Sequence, residues 1–262
     1  MRDPNPRNWK VAYFQGVNPK PLFTATDARG TPQPITSRPE AGHHPKDPNG
    51  VLVYFGTGKY LEVGDNSVAG VPTQTFYAIW DKNEDTLSTI RRRDLLAQTV
   101  LKEVNGRRIT SDNPIDWSQH LGWYLDLPTQ GERQVTDSVL RNNRIIFTTL
   151  IPDPQVCSFG GGGWLMELDA LSGSRLSESP FDLDEDHDID ADDLVTVRID
   201  GQELTVAVSG VISTEGILPT PTVLSSGTTE LKYSSGSTGG IFTTTENPGP
   251  GAIGRQAWRQ LQ

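Results

Sequence analysis

The stretch from Asp182 to Asp193 holds the residues of this chain best suited to chemistry. In twelve residues it carries seven Asp and one Glu, with no Lys or Arg. Like charges so close repel one another, and a compact loop built from them calls for a counter-cation. The spacing narrows the kind. Asp182, Asp184, Asp186, Asp190 and Asp193 stand at positions 1, 3, 5, 9 and 12 of an EF-hand-type loop, with Asp188 at position 7. Ca²⁺ is a hard cation that takes 6–8 oxygen ligands, which carboxylates and a carbonyl supply, whereas Mg²⁺ rarely uses an all-protein cage. Asp182, Asp184, Asp186, Asp188, Asp190 and Asp193 are therefore the candidate calcium ligands.

Two positions depart from the pattern. His187 takes position 6, where Gly is wanted for a sharp turn, and Asp193 takes position 12 in place of the longer Glu. Dockerin-like loops also use Asp at their last position and follow it with an apolar residue, here Leu194. The plainer alternative is a solvated acidic linker. The regular alternation and the apolar Leu183 and Ile189 favour a cation clasp. No paired second loop or Met-rich groove accompanies it, so a structural role is expected rather than a sensing one.

Other chemistry finds little support. Cys157 is the one cysteine, so no internal disulfide can form, and no histidine stands in a recognisable arrangement with it. His43-His44 lies in a polar Pro/Gly stretch and reads as surface. Gly160–Gly163 precedes a strand rather than opening a helix, which speaks against a phosphate-binding loop. The formal charge of −10 argues against a nucleic-acid partner, since Arg91-Arg92-Arg93 is the nearest thing to a basic cluster. Outside the acidic loop the chain carries only −2. No apolar run is long enough to span a membrane, and the start at Met1 is polar and unlike a leader.

The elements that must position this loop are mostly strands. Gly and Pro are abundant, at 26 and 19 residues, as in a turn-rich β protein. Val51–Phe55, Gln74–Trp80, Gly122–Leu127, Arg144–Ile151 and Trp164–Leu168 are expected strands. Leu194–Ile199 and Glu203–Val208 are expected to form a hairpin around a type I′ turn at Asp200-Gly201. One helix is expected, a short insertion near 94–104, capped by Asp94, with Leu95, Leu96, Val100, Leu101 and Val104 as its apolar face and Gly106 as its stop. Thr36–Gly50 and Ser225–Gly240 read as flexible.

A weak repeat runs through the chain. Short apolar strands end in Asp27, Asp81 and Asp169, which are 54 and 88 residues apart. Such a recurrence suits propeller blades of four short strands, with a β-sandwich as the alternative. The shape Leu168-Asp-Ala-Leu-Ser-Gly173 resembles the blade motif of quinoprotein dehydrogenases, which raises a quinoprotein-type oxidoreductase as an alternative function. The Trp that follows the Gly in those enzymes is missing here, and one Cys cannot make their vicinal disulfide.

A set of segments in order resembles the PilY/PilC family of type IV pilus biogenesis and tip-adhesin proteins. They are Val53-Tyr-Phe-Gly-Thr-Gly-Lys-Tyr-Leu61 with Gly64-Asp65, Gln74–Asp81, Arg93–Leu96, Asp116-Trp117, Gly122–Pro128 with Gly131-Glu-Arg133, Ile145–Pro152, Gly163–Ala170, Ser209–Val211, Ser235–Gly239 and Gly254–Leu261. The resemblance implies an all-β fold, a modified quinoprotein-like β-propeller of which residues 1–262 hold the later blades, as the C-terminal region of a longer secreted protein. It implies no enzymatic activity. Its partners would be major or minor pilins, with a host cell surface or an abiotic surface as a further contact. It places the protein outside a Gram-negative cell, at a pilus tip or the outer membrane, reached through the periplasm. Calcium occupancy of the loop would bias pilus extension against retraction, and so twitching motility. No Arg-Gly-Asp triplet is present, so integrin binding is not expected. A calcium-stabilised extracellular binding domain unrelated to pili stands as another alternative.

Overall fold

The computed structural model describes residues 14–15, 17–84, 89–155, 158–226 and 229–249. Its architecture is all β, with short 3₁₀ turns as the helical parts of the described residues. Two sheets share one plan. In the first, Glu40–His43, Val51–Gly56, Thr75–Asp81 and Gly122–Asp126 form an antiparallel meander, and Leu96–Gln98 adds in parallel at its edge. In the second, Val139–Arg141, Arg144–Thr148, Trp164–Asp169 and Gly210–Ile212 form the same meander. It is extended by the hairpin of Arg107–Thr110 and Val100–Val104. A three-stranded sheet of Thr222–Ser226, Thr229–Ser235 and Ile241–Glu246 comes next. These are two four-stranded blades and a shorter third, a partial propeller.

Each four-stranded blade carries its long insertion at the same place, between its third and fourth strands. The third strands end at Asp81 and Asp169, so the aspartate repeat is a structural one. Each of these carboxylates accepts backbone N–H groups of the following turn. Asp81 Oδ1 takes Asn83 N, Asp169 Oδ1 takes Leu171 N and Ser172 N, and Asp27 Oδ1 takes Arg29 N and Thr31 N. An Asp at the end of a strand supplies the acceptor that a tight turn needs.

The sheets pack face to face. Leu52, Tyr54, Phe76, Trp123 and Leu125 of the first blade meet Ile145, Phe147, Trp164, Met166 and Leu168 of the second. Phe76 and Phe147 stack with centroids 4.0 Å apart. The far face of the second blade meets Phe181, Val197, Leu218 and Phe242. Alternate side chains of a strand point to opposite faces, so one strand serves both seams.

Four expectations are corrected. The segment expected as a helix near 94–104 is a 3₁₀ turn at Arg92–Asp94 followed by the strands Leu96–Gln98 and Val100–Val104. Gly106 is no helix stop. With Asn105 it makes a positive-φ pair, at 48° and 71°, between paired strands. An Asn-Gly turn commits the chain to a hairpin, and this overrides the helix-like apolar spacing. Ser225–Gly240, expected to be flexible, contributes two strands to the third blade. Its inward positions are Glu230, Lys232 and Ser234, which do not look like a core in sequence. His44 is buried, not surface, stacked on Trp80 at 3.9 Å and edge-on to Trp117. Burial pushes its imidazole pKa down. Within Thr36–Gly50, also expected to be flexible, Glu40–His43 is a strand. The expected hairpin is present as Val195–Ile199 and Gln202–Val206, with Asp200 and Gly201 at φ 49° and 83°. Cys157 and Gly254–Leu261 lie outside the described residues.

Candidate metal centre

The acidic loop sits in the insertion of the second blade. It begins where Phe181 bridges Glu246 and Asp182 N donates to Thr245 O at 3.1 Å. It ends at the 3₁₀ turn Ala191–Asp193, from which Val195–Ile199 departs. Arg107 Nη2 donates to Leu183 O at 3.0 Å and ties the loop to the hairpin of the same sheet.

Within the loop, carboxylates cap backbone N–H groups at nearly every step. Asp182 Oδ1 and Oδ2 accept Glu185 N at 2.7 Å and His187 N at 3.1 Å. Asp184 Oδ1 accepts Asp186 N, and Asp186 Oδ1 accepts Asp188 N. Asp193, 1% exposed, closes the ring, taking Leu183 N on Oδ1 and Asp190 N at 3.0 Å on Oδ2. His187 has φ 72°, the left-handed turn that position 6 of such a loop demands. Glu185, also left-handed at 65°, lets the chain reverse twice in four residues.

Of the six expected ligands, three come together. Ligand oxygens of Asp182, Asp184 and Asp193 lie within 4.8 Å of one another. Asp186, Asp188 and Asp190 are exposed and lie outside this cluster. Asp184 is itself exposed, and its carboxyl is held above the usual carboxylate range first by partial loss of solvent in the loop, then by the charges of Asp186, Asp193 and Asp182, while the Asp186 N–H it accepts acts the other way. A carboxylate raised by like charges is one that a cation would relieve. The donor set is all oxygen and anionic, which fits a hard divalent cation rather than a soft one. The anchors Arg107 and Thr245 were invisible to sequence reasoning. They act through backbone carbonyls, and no local pattern marks such contacts.

The comparisons with known proteins agree with this architecture. The family model of the PilY1 beta-propeller domain matches residues 5–113. Type IV pilus biogenesis factor PilY1 of Pseudomonas aeruginosa PAO1 is 31% identical over 271 aligned positions, covering 93% of this chain and 22% of that protein. A PilY1 homolog of Xylella fastidiosa is 35% identical over 180 positions, 64% of this chain and 12% of the homolog. The crystal structure of the P. aeruginosa PilY1 C-terminal domain superposes with a TM-score of 0.73 at 31% identity, covering 88% of this chain and 48% of that one. The chain belongs to the PilY1 family. It spans about a fifth of the P. aeruginosa PilY1 protein and about half of the solved PilY1 domain. The PilY1 propeller thus accounts for the repeated blade plan, and the carboxylate cluster is an insertion within one of its blades. Among the described residues no helix is long and apolar enough to cross a membrane.

Proposed function

We propose that this chain is a calcium-binding propeller region of a type IV pilus biogenesis factor. It supports pilus assembly against retraction and contributes to adhesion at surfaces. The observation that carries the calcium reading is the convergence of Asp182, Asp184 and Asp193 around a loop whose turn at His187 is already made. Those three would hold the ion, with Asp186, Asp190 and the Asp188 carbonyl as the further oxygens of the spacing. The pilus reading is supported by the names and the fold of the PilY1 relatives. The partners would be pilins.

The mechanism runs through the loop's own residues. Asp193 and Asp182 gather backbone N–H groups, and Arg107 pins the loop to the second blade. Bound calcium would supply the positive charge that these carboxylates lack. The loop surface would then be held in one shape for a pilus partner. Titration calorimetry of the EDTA-treated chain should show one calcium site that the Asp182→Asn/Asp184→Asn double variant loses. Equal heats in both would remove this loop from the reading. For the pilus role, the same two changes in the full-length gene should lower the number of surface pili in retracting cells. They should leave it unchanged in cells that cannot retract.

A further inference from the structure

The third blade leaves one strand edge half covered. Ile241–Glu246 pairs with Thr229–Ser235 on one side. On its other side, among the described residues, only the C-terminal end is met. Phe181 bridges Glu246, Asp182 N donates to Thr245 O, and Asn247 N donates to Pro180 O at 3.0 Å. Backbone groups of an antiparallel strand alternate sides residue by residue. The Thr245 carbonyl therefore fixes the outward set, and Thr243 and Ile241 turn their N–H and C=O the same way. Beyond Asp182 the covering chain leaves into the acidic loop. Among the described residues no backbone partner meets the outward groups of Thr243.

Beside this edge runs a groove of about 610 Å³, with Asn105–Gly106 and Val211–Ile212 on its opposite wall. Ile241 is 68% exposed and Ile212 44%, and both line it. Asp182, Glu185 and His187 line the same groove. Natural edge strands are usually blunted by Lys, Pro or an inward charge. The outward-facing residues here are Ile and Thr, which are good strand formers and carry no charge.

We propose that this edge takes an extended peptide as an added strand. The peptide would place an apolar side chain between Ile212 and Ile241 and a basic side chain toward the exposed Glu185. Charge complementarity selects the basic residue, because the adjoining loop carries eight acids and no Lys or Arg. Arg107 is already engaged at the Leu183 carbonyl. Main-chain bonds to Thr243 and Ile241 supply affinity, and alternate side-chain pockets supply selectivity. The inference is independent of the calcium reading, since the edge is formed by strand pairing alone.

The test is fluorescence anisotropy with a labelled peptide, Thr-Val-Lys-Val-Thr-Val-Lys-Thr, added to the full chain in 1 mM calcium and again in EDTA. Binding is expected in both. A version with Glu in place of Lys should bind at least tenfold more weakly. A version N-methylated at every backbone amide should not bind, because neither of its edges can donate to the ladder. Thr243→Pro should also lose binding, while Thr243→Ala keeps it. The Thr243 N–H faces outward, so Pro removes no bond to Thr229–Ser235. Absence of binding by the basic peptide, equal binding of the basic and acidic peptides, or full binding of the N-methylated peptide would each overturn the proposal. The N-methylated probe reads wild-type protein and does not depend on the proline variant folding.

Discussion

Trp123 Nε1 donates to the carbonyl of Ala170 at 3.0 Å, joining the last strand of one blade to the turn that follows the third strand of the next. The indole lies over Gly173, and a Cβ built there would stand 2.3 Å from the ring. A Trp thus packs on the Gly of the Leu-Asp-Ala-x-x-Gly shape. It comes from the neighbouring blade, 50 residues earlier in the chain rather than just after the Gly.

Gly173→Ala should accordingly be strongly destabilising. Gly173 has φ +70°, which costs a non-glycine residue about 1 kcal/mol, and displacing the indole adds roughly 1–3 kcal/mol. Trp123→Phe, which keeps an aromatic ring and loses the Ala170 bond, should cost about 1 kcal/mol for that bond, with a packing cost added. Denaturant unfolding followed by circular dichroism would measure both. Equal stability of Gly173→Ala and wild type would contradict the packing described.

Calcium should raise thermal stability. Extracellular-type loops bind with Kd of roughly 10⁻⁴–10⁻³ M, so 1 mM calcium should contribute about 0.4–1.4 kcal/mol. For a chain of this size that is a rise in Tm of roughly 1–5 °C, reversed by EDTA. Scanning calorimetry in the two buffers would show it, and identical curves would leave the loop without an ion.

The raised Asp184 pKa sets a pH dependence with a definite sign. Its folded-state pKa lies above the unfolded value, so ionised Asp184 opposes folding when no cation is present. That penalty is present above the folded pKa and fades as pH falls through it. In EDTA, Asp184→Asn should therefore be more stable than wild type at neutral pH, with the advantage shrinking in acid. The Asn side-chain oxygen still accepts from Asp186 N, so the turn is kept. With calcium the order should reverse. Melting curves at pH 7 and at about pH 4, close to the ordinary carboxylate range, with and without calcium, give the comparison. An advantage that grew in acid would reverse the assigned sign.

Lys232 is 2% exposed in its side chain and sits between Glu167, at 2.7 Å, and Glu246. Burial lowers its pKa, while Glu167 and Glu230 oppose the shift. Lys232→Met should leave buried Glu246 without its cation and Glu167 with Arg144 alone, and cost about 3–5 kcal/mol. Adding Glu246→Gln should recover part of this. Urea denaturation of the single and double variants would read the difference, and a neutral Lys232→Met would show that the cation is not needed.

Much of this molecule is legible in its sequence, and the illegible parts have physical reasons. The strand from Arg144 and the one from Trp164 announce themselves as apolar runs, because their two faces pack against different neighbours. The Asp200-Gly201 hairpin is read from its turn. The Asn105-Gly106 hairpin carries the same signal, but apolar residues at helical spacing mask it. The third blade is hidden because Glu230, Lys232, Ser234 and Glu246 occupy its buried positions. The loop spacing picks out six aspartates alike. It does not show that Asp182, Asp184 and Asp193 draw together while Asp186 and Asp190 cap Asp188 N and Asp192 N away from them.

The seam between the second and third blades joins charges rather than apolar surfaces alone. Arg144 and Lys232 grip the two oxygens of Glu167, and Arg141 Nε reaches Glu230 at 2.7 Å. Three cations meet three anions, Glu246 included, so the set is neutral only in this alignment. Greasy faces tolerate sliding. A shift of this seam by one strand position would bury a lone charge, a fault far costlier than a poor fit. The seam therefore works as a key. In a fold that stacks one similar sheet after another, it tells the third blade which face it belongs on and at what height.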